Sequence, residues 1–407
     1  MDATGWRQAL QTAWAAGRDA APPPVAVPLA DADGLVLAEP LTARTDLPAF
    51  PTSSVDGWAV RGEGPWRPVG RVLAGERPAP LTADGDCVEI ATGAMVPVGT
   101  TAIIRVENST VDSDGLVRGT PRERPDWRQP GEEATAGEVL MPAGSPVTPG
   151  LVGLAASAGY DTLSVRRAPR SAVLVFGDEL LTTGLPGDGR VRDALGPQVP
   201  AWLRRFGATA ESGAVSLVVD TLDAHVAAIS AALDHGADLI CTTGGTMRGP
   251  VDHLHGALAR LGATLLVDAV AVRPGYPMLL ASLPAPDGRT ALLAGLPGNP
   301  QSAVVGMVTL VGPLVAGWLG RPAPDLSTFP RVRLAAPVPG RGGDTHLALV
   351  RLDRDGGPAY PLPHTGSAML RGLAAAVGFA VIGPGVDGRP GDEVPLVPLP
   401  LLPREKP

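Results

Sequence analysis

Four carboxylates stand where apolar runs give way to loops. Asp178 and Glu179 follow Ser-Ala-Val-Leu-Val-Phe-Gly, Asp220 ends Ser-Leu-Val-Val-Asp, and Asp252 comes shortly after a Thr-Thr-Gly-Gly turn. Carboxylates gathered at one sheet edge suit a hard cation such as Mg²⁺, which takes one or two of them and completes its shell with phosphate oxygens. Singly, Asp220 and Asp252 are equally well placed to cap helices. Two glycine-bearing segments lie among these acids: Thr242-Thr-Gly-Gly-Thr-Met-Arg-Gly249 and Leu296-Pro-Gly-Asn-Pro300, each after an apolar run and before a helix-like stretch. Glycine lets the backbone approach an anion, and the free amides at a helix start cradle phosphate. A tight strand-to-helix turn explains either segment alone. Two on one sheet edge favour a ligand site. His253 and His255, two residues apart on a helix, diverge and are poor partners for one metal.

These residues need a frame that brings loop ends to one edge, and the rhythm from about 169 to 321 supplies it. Residues 171–176, 214–218, 238–242, 264–272 and 291–294 read as strands, and 194–206, 221–235, 251–261 and 300–319 as helices. Alternation at these lengths implies an α/β region whose parallel sheet is covered on both faces. Short β-like runs between Gly/Pro turns mark small β modules at about 46–127 and 325–407. A helix over Trp6–Ala20 and an apolar segment at 149–159 bracket the first module, and the two are expected to pack side by side.

A chain of 407 residues is too long for one core and implies two to four domains. With 44% hydrophobic and 18% charged residues it reads as globular rather than disordered. A net charge of -8 argues against nucleic acid as a partner, though not against a local basic pocket. No run of about 18 uncharged apolar residues is expected, hence no membrane span, and the N-terminus lacks a signal-peptide pattern. Cytoplasm is the default. Cys87 and Cys241 are too few and too far apart for a disulfide framework or a Cys-x-x-Cys zinc site. Lys406 is the only lysine, so chemistry that needs one has no candidate outside the tail.

Longer stretches carry a family likeness. Asp46-Leu-Pro-Ala-Phe-Pro-Thr-Ser-Ser-Val-Asp-Gly-Trp-Ala-Val60 is followed in order by Ala74-Gly-Glu-Arg-Pro78, Ile90-Ala-Thr-Gly-Ala-Met-Val-Pro97 and Pro130-Gly-Glu-Glu133. Then come Gly177-Asp-Glu-Leu180, Thr243-Gly-Gly245, Arg273-Pro-Gly275, Leu296-Pro-Gly-Asn-Pro300 and His364-Thr-Gly-Ser367. This series resembles the molybdopterin molybdenumtransferases, the family that includes the C-terminal domain of gephyrin, over nearly the whole chain.

The resemblance implies a multidomain α/β fold and an elongated homodimer. A linker domain (1–45 and 130–168) would carry an inserted β domain (46–129). A molybdopterin-binding three-layer α/β domain with a mostly parallel sheet (169–321) and a C-terminal β barrel (325–407) would follow. The implied reaction, with Mg²⁺ or another divalent cation, takes molybdopterin-AMP, releases AMP and inserts molybdate. The resemblance places Asp56, Thr92, Glu133, Glu179, Asp220 and Asp252 in the catalytic set, with Asp220 and Asp252 at the metal and Asp56 and Thr92 contributed from a partner subunit. Gly244, Gly245, Pro297, Gly298 and Pro300 would line the pterin pocket. Arg273, Ser302, Arg351 and Ser367 would face molybdate. A molybdopterin adenylyltransferase is an implied partner.

The chain departs from the family at Asp193-Ala-Leu195, where Asp-Ser/Thr-Asn is usual, and at Met247, where Ser is usual. It departs again at Arg273-Pro-Gly-Tyr-Pro277, where Lys-Pro-Gly-Lys-Pro is usual, and at Ala269, a lysine position. Two readings follow: an insertase with an altered anion pocket, or a paralogue that binds the pterin or a protein without turnover. An adenylyltransferase would share the α/β domain but not need the flanking β modules.

Overall fold

The computed structural model describes residues 3–210, 215–247, 253–353, 357–364 and 366–401. Two compact units emerge: Val25–Val165, and a second formed by Met1–Pro24 with Arg166–Pro407.

In the first unit, strands Val25–Pro28, Thr162–Arg166 and Val36–Leu37 form a three-stranded sheet. Helix Pro149–Ser157 buries Leu151 and Ala155 in the core it shares with Val27, Leu37 and Leu163. Thr148 caps this helix by accepting from the Leu151 amide at 3.3 Å. A separate four-stranded sheet, in the order Arg67–Val72, Asp86–Ile90, Gly57–Val60, Ala102–Arg105, has its own core around Ala59, Val72, Ile90 and Ile103.

The second unit is organised by a six-stranded sheet in the order Val215–Val218, Ser171–Phe176, Leu239–Thr243, Thr290–Leu296, Leu279–Pro284, Thr264–Val267. The first four strands are mutually parallel, and Leu279–Pro284 runs against both of its neighbours. Its central strands read as largely apolar runs because both faces are covered, as parallel sheets require. The reversed strand is one that the sequence reading passes over. It forms a hairpin with Thr290–Leu296 across a turn containing Asp287 and Gly288, and an Asp-Gly pair between two apolar runs was its signal.

The expected strand over 264–272 is two strands. Thr264–Val267 ends the central sheet, whereas Val270–Arg273 joins a different one, pairing with Thr4–Gly5 and with Thr345–Leu352. That second sheet continues through Gly378–Ile382 and Glu393–Pro398 to Arg331–Arg333, with Ala359–Pro361 beside Thr345–Leu352. One bridge, Leu334 to Ala359, brings its far end back to Ala359–Pro361, so these five C-terminal strands follow one another round a ring.

Helix Trp6–Ala20, placed with the linker segments in the sequence reading, packs instead on helix Pro300–Trp318 of this unit. The Trp6 indole donates to Thr309 Oγ1 at 3.0 Å and the Trp14 indole to the Arg321 carbonyl at 2.9 Å. The crossing is close because it runs over glycines. A methyl on Gly17 would collide with the Leu314 carbonyl, and one on Gly317 with that of Trp14. Helix Pro300–Trp318 includes a π-helical turn at Met307–Val311. It carries no charged residue, and Gln301, Ser302 and Thr309 interrupt its apolar run. It is long and apolar enough to cross a membrane, but 89% of its apolar window is buried within the fold, and a helix apolar all round is what a central position demands.

Candidate functional site

The carboxyl ends of four parallel strands open into one cleft of about 590 Å³, lined by Phe176, Gly177, Glu179, Asp220, Thr243, Gly244, Gly245, Gly298, Asn299 and Pro300 among others. An open α/β sheet places its ligand at this edge. The two glycine loops meet there. Gly244 donates its amide to the Leu296 carbonyl at 2.9 Å, and a Cβ built on Gly298 would lie 3.6 Å from the Gly244 Cα. Gly244 and Gly245 hold φ of +84° and +65°, which L side chains rarely adopt. Pro300 opens the following helix, where its missing amide hydrogen costs nothing. The Gln301 amide donates to the Ser367 carbonyl at 2.9 Å, which brings the segment with Ala368 and Leu370 to the cleft mouth.

Asp220, like Asp193, is a half-buried acid of the site. It precedes helix Leu222–Asp234 but does not cap it: Thr221 does, accepting from the Ala224 amide at 3.3 Å. Its carboxylate lines the cleft, and its amide donates to Asp178 Oδ1 at 3.3 Å. Behind it lies His225, fully buried, its ring stacked on Phe176 at 3.7 Å and 14°. His225 Nε2 is 3.4 Å from Asp220 Oδ1, and the His253 ring stands edge-on at 5.8 Å. Burial pushes the imidazole below its ordinary range, with Asp220 opposing that shift and His253 adding to it. Sequence reasoning missed His225. Its signal was phase: four residues before Ile229 and eight before Leu233, it falls on the helix's buried face.

Glu179 folds back over Gly177 at the cleft wall, where Leu180–Leu181 pairs with Val191–Arg192. Asp193 Oδ1 accepts from the Leu195 and Gly196 amides, both at 2.9 Å, so the altered Asp-Ala-Leu segment keeps its turn-forming acid. The turn also delays the helix, which begins at Val199 rather than 194. Arg192, also missed, is the cationic side chain among the residues that line the cleft.

The remaining expected residues lie apart from this lining. Ser302 is buried in the first turn of helix Pro300–Trp318, and Pro297 follows the strand end beside Gly298. Arg273 donates Nε to Asp344 Oδ2 at 2.7 Å and lies over the Tyr276 ring at 5.0 Å. Arg351 pairs with Asp353 and lies over Tyr360 at 4.7 Å. Both guanidiniums expected at molybdate therefore already have acidic neighbours. In the first unit, Asp56 Oδ1 accepts from the Thr92 amide at 2.7 Å, bringing that expected pair together. Glu133 is exposed beside a cleft with Asp46, Arg128 and Glu132. Asp252 lies outside the described residues, and among those described no three or more His, Cys, Asp or Glu are grouped to hold a metal.

Three family descriptions match consecutive stretches. "MoeA N-terminal region (domain I and II)" covers 6–159, "Probable molybdopterin binding domain" covers 172–317, and "MoeA C-terminal region (domain IV)" covers 331–399. The molybdopterin molybdenumtransferase of Synechococcus elongatus is 33% identical over 304 residues, 71% of this chain and 74% of that protein. Its namesake from Staphylococcus aureus (strain MSSA476) is 30% identical over 322 residues, 76% of this chain and 74% of that one. The crystal structure of a molybdopterin biosynthesis MoeA protein from Pyrococcus horikosii superposes with a TM-score of 0.78 over 98% of this chain and 99% of that one, at 24% identity. With all three regions present in order and relatives at this identity along most of its length, the chain belongs to the MoeA family.

Proposed function

We propose that this protein is a molybdopterin molybdenumtransferase that acts in molybdenum cofactor biosynthesis, taking adenylylated molybdopterin, releasing AMP and passing molybdate to the pterin dithiolene. The observation that carries the reading is the cleft, where two glycine loops meet beside a carboxylate that no helix cap uses. Backbone amides at Gly245 and Gly298, beside the side-chain-free Gly244, suit a phosphorylated pterin. Glu179 and Asp220 put negative charge where a cation is needed to neutralise a pyrophosphate.

Asp220 fits a divalent cation of the Mg²⁺ kind, which needs only one or two carboxylates when phosphate oxygens complete its shell. Asp252 is proposed as the second carboxylate. Such a cation, when bound, lowers the charge of the phosphoanhydride. Ser302, Ser367, Arg273 and Arg351 are proposed for molybdate, since hydroxyls and guanidiniums suit a tetrahedral dianion. Asp56, Thr92 and Glu133 are proposed catalytic residues, the first two acting in the cleft of a partner subunit. The proposed architecture is a linker domain with an inserted β domain, the pterin-binding α/β domain and a C-terminal barrel, in a cytoplasmic homodimer that takes its substrate from an adenylyltransferase.

The test incubates purified protein with adenylylated molybdopterin, Mg²⁺ and molybdate, following AMP release and cofactor formation together. Both are expected. Tight pterin binding with neither product would leave a binder without turnover, and sedimentation as a monomer at micromolar concentration would remove the homodimer.

A further inference from the structure

His225 occupies an expensive position. It is fully buried, and neither ring nitrogen completes a hydrogen bond among the described residues. An unsatisfied buried polar atom costs about 1–3 kcal/mol, so leucine would be the better residue if packing were its only task. Its ring is stacked on Phe176 beside Gly245, where a Cβ would lie 3.8 Å from His225 Cε1. The Asp220 carboxylate stands 3.4 Å from Nε2, and the His253 ring is edge-on at 5.8 Å.

We propose that His225 is a positioning residue for Asp220: a buried Nε2–H held behind the cleft that orients the carboxylate toward a bound cation. This rests on the reading of Asp220 given above. A neutral imidazole carries one N–H, and the tautomer with an acceptor lone pair at Nε2 would repel the carboxylate. The donor therefore sits on Nε2. Catalytic contacts are often long in a ligand-free arrangement and tighten on binding, so a small rotation of the Asp220 side chain completes the bond. Partners of this kind, hydrogen-bonded to a ligating carboxylate, change metal affinity by about 10- to 100-fold when removed.

The experiment measures Mn²⁺ uptake by electron paramagnetic resonance in the full chain and in His225→Phe, His225→Gln and Asp220→Asn. Phe keeps the stack and loses the donor, whereas Gln restores a donor near the Nε2 position. Phe is expected to weaken Mn²⁺ by about 10- to 100-fold, Gln to recover most of that, and Asp220→Asn to abolish uptake. Loss in Asp220→Asn with wild-type affinity in His225→Phe overturns this inference alone. Wild-type affinity in Asp220→Asn, or no uptake by the unaltered protein, overturns the Asp220 reading and this inference with it. If His225→Phe fails to fold, nitrogen-15 spectra of the six histidines in the unaltered protein decide. The Nε2–H tautomer at His225, assigned by its loss in the Gln variant, supports the inference, and the Nδ1–H tautomer overturns it.

Discussion

Gly244 and Gly298 belong to loops that leave different strands, yet a Cβ on Gly298 would sit 3.6 Å from the Gly244 Cα. Of the two, Gly244 is the one with no easy room for a side chain, because it holds φ +84° and its own Cβ would lie 3.0 Å from the Phe176 carbonyl oxygen. Gly244→Ala is therefore expected to cost about 1–2 kcal/mol in the left-handed region and to deform the cleft floor. Urea denaturation gives the first quantity and pterin affinity the second. A variant unchanged in both would mean that the loop relaxes freely and does not form the binding floor.

Capping and chemistry separate at neighbouring positions. Thr221 caps helix Leu222–Asp234 while Asp220 faces the cleft. Thr221→Ala is expected to lose about 1 kcal/mol of stability, the usual worth of a cap, and to retain turnover. Asp220→Asn is expected to do the reverse, with AMP release abolished and stability within about 0.5 kcal/mol of the unaltered protein. Thermal melts paired with an AMP assay distinguish the two, and a large stability loss in Asp220→Asn would return that residue to a structural role.

Arg273 is half exposed, and its guanidinium is already engaged by Asp344 at 2.7 Å. An acid so close offsets the positive charge a dianion would meet. Asp344→Asn is expected to lower the molybdate concentration for half-maximal insertion by roughly fivefold, on about 1 kcal/mol for one unit charge near contact in solvent-like surroundings. Tyr276→Lys together with Ala269→Lys should act in the same direction. Identical molybdate dependence in all three proteins would place the oxyanion away from Arg273.

Acid should weaken the first unit through Asp126. The Arg105 guanidinium donates to both carboxylate oxygens, at 2.8 and 3.1 Å, and this holds Asp126 below the usual carboxylate range. Because the folded value is depressed, the pair's stabilisation is complete above the unfolded value near pH 4 and fades as pH falls through the folded one. The stability gap between the unaltered protein and Asp126→Asn should be constant from about pH 7 to 5 and shrink below about pH 4. Denaturation curves across that range check it. A gap that widens on acidification would contradict the sign.

The sequence by itself determined the elements that depend on local pattern. Largely apolar runs at 171–176 and 238–242 marked buried parallel strands. Glycines at 244, 245 and 298 marked turns at the strand ends, and ordered motifs marked the family. Each is legible because residue type constrains the backbone at that position. Three matters waited for tertiary structure. Nothing local reveals that Val270–Arg273 leaves one sheet for another, because both halves of 264–273 are equally strand-like and only the partners differ. Helix Trp6–Ala20 could pack wherever an apolar face fits, and Gly17 and Gly317 select helix Pro300–Trp318 only because the two backbones approach there. The choice between Asp220 and Thr221 as cap depends on which residue the folded backbone leaves at the helix start, and with Thr221 there Asp220 faces His225 and the cleft.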